Sequence, residues 1–151
     1  ITPFEAYKTK DGYIIISAGN DGLFAKLAEA LENPGWAEDP DYSSNDNRNK
    51  HVEKLKIEME SVLTTHTTSH WIEVLDKFGV PSGPINDIGQ AATHPQTIAR
   101  NMIVSVDDPI TGPMKVAGNP IKISGFEDPE TREPAPNLDQ NREQILRELT
   151  D

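Results

Sequence analysis

The chain has no cysteine. Disulfide bridges, thiolate nucleophiles and cysteine-bound zinc are therefore excluded, and the composition fits a reducing compartment. Positive charge is also scarce: 14 Lys and Arg face 25 Asp and Glu, for a net charge of −11. A nucleic-acid binder needs a basic face to displace counterions, and docking on an anionic membrane needs the same sign. Both partner classes are disfavoured, while a small anion held by a local basic patch stays open. No apolar run approaches the roughly 20 residues of a membrane span, and the start shows no charged-then-apolar leader. The sequence also lacks a GxSxG elbow, a P-loop, a GxGxxG turn and an HExxH pair. It starts at Ile1 rather than Met, which raises the expectation of a fragment or a processed product.

What remains is 151 residues, 35% of them hydrophobic, grouped in periodic segments. Phe4–Thr9 and Tyr13–Ser17 flank an Asp11-Gly12 step, which signals a β-hairpin. Ile14, Ile15 and Ile16 in succession suggest a strand covered on both faces. Asn20 or Asp21 is placed to cap a helix carrying Leu23, Leu27 and Leu31, which should stop near Asn33-Pro34-Gly35. A second helix is expected from about Asp46 to Leu63, with Val52, Leu55, Met59 and Val62 as a narrow apolar stripe. Thr67, Thr68 or Ser69 should cap a third, carrying Trp71, Leu75 and Phe78 and stopping at Gly79.

Gly79–Pro84 reads as a rigid extended segment. Short helices are expected from Asn86 or Asp87 to about Thr93 and over Pro95–Arg100. Met102–Val106 and Met114–Val116 should be strands around a turn at Asp107–Gly112, with a third short strand at Ile121 and Ile123. Phe126–Pro136, with three prolines and five charges, should be an irregular connector. Asn141–Leu149 should close the chain as a helix. The expected fold class is α+β: a small domain with a short antiparallel sheet and several helices (residues 1–100), then a β-rich C-terminal extension with a terminal helix (101–151). The second piece has too few large apolar residues to bury a core by itself.

Few residues stand out for chemistry. His66 and His70 are four apart, with His51 upstream, but the Thr67-Thr68-Ser69 helix start between the pair would splay them, so solvated helix-end histidines are preferred to a metal site. Asp11, Asp21, Asp87, Asp107 and Asp108 sit at turns, where aspartate ordinarily bonds nearby amides. Ala18-Gly19-Asn20-Asp21-Gly22 joins a strand to a helix, a junction that can offer amides to an anion but more often serves as plain turn chemistry. Lys8, Lys10, Arg48, Lys50, Lys54 and Lys56 could meet phosphates, and a solvated face accounts for them as well. From composition and spacing alone the chain is an acidic α+β domain.

The order of segments resembles class III CoA-transferases, the family of formyl-CoA transferase, carnitine CoA-transferase and acyl-CoA racemase. Four stretches carry the resemblance. The first is Thr9-Lys10-Asp11-Gly12-Tyr13, running on through the strand to Asn20. The second is Trp36-Ala37-Glu38-Asp39-Pro40-Asp41-Tyr42, followed by a helix start containing Arg48. The third is Gly79-Val80-Pro81-Ser82-Gly83-Pro84-Ile85, with His94-Pro95-Gln96 beyond it where the family usually has Asp-Pro-Gln. The fourth is Gly118–Gly125, followed by Ala135-Pro136-Asn137-Leu138. Asp139 departs from the glycine usual after that last motif.

The resemblance implies a small domain and a C-terminal return to a large α/β domain, with two chains interlocked as a homodimer. It implies coenzyme A or acyl-CoA as substrate rather than a covalently bound cofactor, and a carboxylic acid as the other substrate. The family nucleophile is an aspartate of the large domain, and no aspartate here matches its motif, so no catalytic residue and no metal ligand is expected in this chain. Gly19 and Asn20 are the residues expected to line the substrate cleft. Transferase and racemase stay open at this point, as do an inert fragment, a stand-alone binding or dimerisation module derived from the family, and an unrelated acidic interaction domain. The expected location is cytoplasmic, or mitochondrial in a eukaryote.

Overall fold

The computed structural model describes residues 1–150 and divides into two compact units, Ile1–Ile85 and the residues from Asn86 onward. In the first, β1 (Phe4–Lys8) and β2 (Tyr13–Ser17) form the expected hairpin, with Lys8 opposite Tyr13 and Phe4 opposite Ser17. A third strand, β3 (Ser82–Pro84), pairs antiparallel with β2, so Gly79–Pro84 is partly a sheet edge. It sits at the edge, where a proline without an N–H costs no ladder bond. Within β2, Ile14 and Ile16 are fully buried whereas Ile15 is 37% exposed. The strand is thus covered on one face, because the pleat sends alternate side chains to opposite sides.

Helix α1 (Asp21–Ala30) begins at Asn20, whose side chain accepts from the Leu23 amide at 2.8 Å. It ends in a pair of reversed bonds, Asn33 N to Ala28 O and Glu32 N to Glu29 O, with Glu32 at φ 57°. A 3-10 turn over Pro34–Ala37 follows. The expected long second helix is broken at His51 (φ −117°, ψ 25°) into α2 (Asn45–Lys50) and α3 (Val52–Leu63). The break separates two environments. Leu55, Met59 and Leu63 of α3 enter the core, whereas α2 has no apolar residue, and Arg48 is the one it buries. Helix α4 (Thr68–Lys77) is capped by the Thr67 hydroxyl and stops at Gly79, φ 68°, where Val80 N bonds Leu75 O.

Helices α3 and α4 pack on the sheet, and α1 packs on α4. One core results, with Tyr7, Ile14, Phe24, Leu27, Leu55 and Leu75 among its members. Trp71 completes it and donates its indole N–H to Leu63 O at 2.7 Å.

In the second unit, α5 (Ile88–Thr93) opens with a reciprocal cap between Asp87 and Gln90, and α6 (Pro95–Ala99) follows. Strands β4 (Ile103–Asp108) and β5 (Gly112–Ala117) form an antiparallel pair. The partner on the other side of β4 is β6 (Thr131–Arg132), running parallel inside the segment expected to be an irregular connector. Ile121 and Ile123 form no strand, and both are exposed. Helix α7 (Arg142–Glu148) leaves Ile145, Leu146 and Leu149 exposed. Val104 is the one large apolar side chain buried here among the described residues. No helix among the described residues is long and apolar enough to cross a membrane.

Candidate functional site

The strand-to-helix junction holding Gly19 and Asn20 lines a concavity of about 570 Å³ in the first unit. Ile1, Phe4 and Leu23 give it an apolar wall; Ser17, Asn20, Asp21 and Asn45 give it polar groups. A Cβ built on Gly19 would stand 1.8 Å from Ile1 Cγ2, so a larger residue here would push the Ile1 side chain aside. The Asn20 side chain is engaged as the helix cap. None of the lining residues carries an imidazole, thiol or amine side chain. The one ionisable group, Asp21, is tied to Arg48 at 2.8 Å. The concavity can therefore supply shape and hydrogen bonds, and its one carboxylate is held in an ion pair with Arg48.

Arg48 holds this junction in place. Its side chain is fully buried, and its guanidinium lies 4.4 Å over the Phe24 ring centroid. Nε donates to Thr2 O at 2.7 Å, Nη1 to Tyr42 O at 2.8 Å and Nη2 to Gly19 O at 3.1 Å, besides the Asp21 bond. On the same helix, Asn45 accepts from the Thr2 amide and Asn49 from the Thr2 hydroxyl. A polar helix of six residues thus gathers three backbone segments through hydrogen bonds to a buried cation. Sequence reasoning treated Arg48 as a surface cation open to phosphate, and the structure corrects this. A buried arginine satisfied by carbonyls differs from a solvated one only in what surrounds it, although the absence of any apolar stripe in Asn45–Lys50 is a signal that this helix packs by polar contacts.

Two of the other phosphate candidates, both on α3, are also engaged, while Lys50 of α2 is exposed. Lys54 bonds Asp41 at 2.8 Å, and Lys56 bonds Glu5. That contact from Lys54, then the charge of His51, holds the Asp41 carboxyl below its ordinary range. Tyr42 is fully buried; burial, then the neighbouring Glu58, pushes its phenol up to about 12. His66 and His70 stack with centroids 4.2 Å apart and both meet the edge of Trp71. The expected splaying does not occur: the two rings stack, and each makes a T-shaped contact with Trp71.

A separate cleft of about 730 Å³ lies within the second unit, lined in part by Arg100, Asn101, Ile121, Lys122, Phe126 and Arg132. Asp128 receives both Lys122 and Arg132, so two of its three cations are neutralised in place. Asn101 Nδ2 donates to Asp128 O at 2.9 Å, and a Cβ on Gly118 would stand 2.3 Å from Asn101 O. These contacts make Gly118 and Asn101 structural parts of one knot.

Acetyl-CoA:oxalate CoA-transferase of Acetobacter aceti is 37% identical over 149 residues, covering 99% of this chain and 37% of that protein. Human succinyl-CoA:glutarate CoA-transferase is 32% identical, covering 99% of this chain and 34% of its own length. The chain thus spans little more than a third of the curated relatives it matches. A CAIB/BAIF family protein from Brucella suis has a solved structure that superposes with a TM-score of 0.73 at 31% identity, over 99% of this chain and 38% of that one. Residues 1–142 match the family description as a continuous stretch, and on that match the chain belongs to CoA-transferase family III.

Proposed function

We propose that this chain is the C-terminal part of an enzyme that moves the CoA moiety between carboxylic acids. In this reading an aspartyl intermediate forms in a large domain that the chain lacks, and the chain alone is inert. The observation that carries the reading is the mismatch of coverage: 99% of this chain aligns, yet it fills 37% of the Acetobacter relative. The one carboxylate lining the Gly19–Asn20 concavity, Asp21, is held in an ion pair with the buried Arg48 at 2.8 Å, which supports a wall-forming role for this turn. Splitting acyl transfer into steps through a covalent carboxylate intermediate is then the task of residues elsewhere.

The activities of two relatives support a substrate class for the whole enzyme. One pairs acetyl-CoA with oxalate and the other succinyl-CoA with glutarate. A short acyl-CoA donor and a dicarboxylate acceptor follow for the whole enzyme, with CoA as substrate and not as a resident cofactor. These activities favour transfer over racemisation. Residues 1–100 then act as the small domain and 101–151 as the segment returning to the large one, in a homodimer. The exposed Ile121, Phe126, Leu138 and Leu149 give the second segment apolar surface for such packing.

The test is the mass of the native polypeptide, by immunoblot against this domain in its source cells. A band of about 45 kDa, a two-domain size, supports the transferase. A band at 16.7 kDa instead makes the chain a stand-alone module and overturns the reading.

A further inference from the structure

We infer that Arg48 is a positioning residue for the substrate cleft, acting through the Gly19–Asn20 turn. This rests on the transferase reading above, and deepens it by naming what holds the cleft wall in place. Arg48 touches no open space itself: its side chain is fully buried. What it does is join segments distant in sequence. Nη2 takes the Gly19 carbonyl on the concave turn and the Asp21 carboxylate one residue past the Asn20 cap. Nε takes Thr2 O, next to Ile1, whose side chain packs directly against Gly19 at the edge of the same concavity. Nη1 anchors the plane to Tyr42 O, in the fully buried Tyr42. Two chain segments that line the concavity, the one around Thr2 and the Gly19–Asp21 turn, are therefore tied to one planar guanidinium with fixed donor directions. Lysine keeps the charge but cannot place donors toward three carbonyls and a carboxylate from a plane.

The geometry makes a local demand. Ala18 N bonds Pro3 O, Leu23 N bonds the Asn20 side chain and Phe24 N bonds Asn20 O. These three amides report on the turn and the cap. Lys10 N, bonded to His66 O, and Trp71 N, bonded to Thr67 O, report on the remainder of the same unit.

Amide hydrogen exchange on the chain with Arg48→Lys tests the positioning. Exchange at Ala18, Leu23 and Phe24 should rise about tenfold while Lys10 and Trp71 stay unchanged, the mark of local opening. A uniform rise, or none, overturns it. If Arg48→Lys does not fold, Asp21→Ala releases one guanidinium contact at an exposed residue and should give a smaller rise at the same three amides. In the intact enzyme, Arg48→Lys should raise KM for a substrate about tenfold with kcat nearly held, since misplaced walls weaken binding rather than chemistry. An unchanged KM in a variant with altered exchange removes the link to the cleft. If the unaltered intact enzyme transfers no CoA, the transferase reading falls and the cleft role falls with it, while the exchange data still decide whether Arg48 sets the turn.

Discussion

Asp11 Oδ1 accepts both the backbone N–H of Thr68, at 2.8 Å, and its hydroxyl, at 3.0 Å, from a position 57 residues away. The hairpin turn is thereby fastened to the first turn of α4, and Lys10 N adds a bond to His66 O beside it. The Thr68 amide, and after it the Thr68 and Thr9 hydroxyls, hold the Asp11 carboxyl below the ordinary carboxylate range.

A pH dependence follows from that sign. A carboxylate with a lowered folded-state pKa contributes stability above the unfolded value near pH 4 and loses it as pH falls through the folded value. Asp11→Asn should therefore be less stable than the parent at pH 7, with the difference shrinking below about pH 4. Urea titrations at pH 7 and pH 3 would show the two curves converge; a constant gap would contradict the role given to this contact.

Glu32 stands at φ 57° in the position after α1 where glycine is usual. A side chain there costs about 1 kcal/mol, partly offset by the extra freedom glycine gives the unfolded chain. Glu32→Gly should raise stability by about 0.5 kcal/mol in urea unfolding followed by far-UV dichroism. A loss of stability would show that Glu32 has a contact worth more than the strain.

The two units should respond differently to the same truncation. Leu55 is fully buried in the first unit and Leu146 is 55% exposed in the second. Leu55→Ala should cost about 3 kcal/mol and Leu146→Ala no more than about 0.5 kcal/mol in this chain. Comparable losses would mean that α7 buries its apolar face within the chain after all.

Much of the first unit was legible in residue order. The Asp11-Gly12 turn, the Asn20 cap and the Gly79 stop are each local devices whose chemistry is written in adjacent residues. Long-range pairing was harder. The parallel partner of β4 is the two-residue Thr131–Arg132, hidden in a proline-rich stretch, whereas the more β-prone Ile121 and Ile123 stay out of the sheet. Strand propensity measures fit to a covered surface, and no surface covers those isoleucines here. The break at His51 was missed because the charged residues of α2 and α3 look alike until packing separates them. Arg48 was legible as a cation at a helix start but its burial was not: that depends on carbonyls from Thr2, Gly19 and Tyr42, and the lack of an apolar stripe in Asn45–Lys50 is the one local sign of it. Gly19 and Asn20 do share a concavity, but their role toward a substrate rests on the rest of the enzyme.

The most direct measurement is CoA transfer itself. The full polypeptide that contains this chain, and the 151-residue chain alone, would each be incubated with acetyl-CoA or succinyl-CoA and with oxalate or glutarate. New acyl-CoA would be followed by liquid chromatography and mass spectrometry. The account predicts a new dicarboxyl-CoA thioester from the full polypeptide and none from the isolated chain. Transfer by the isolated chain, or a full polypeptide that transfers CoA to neither acid, would contradict it.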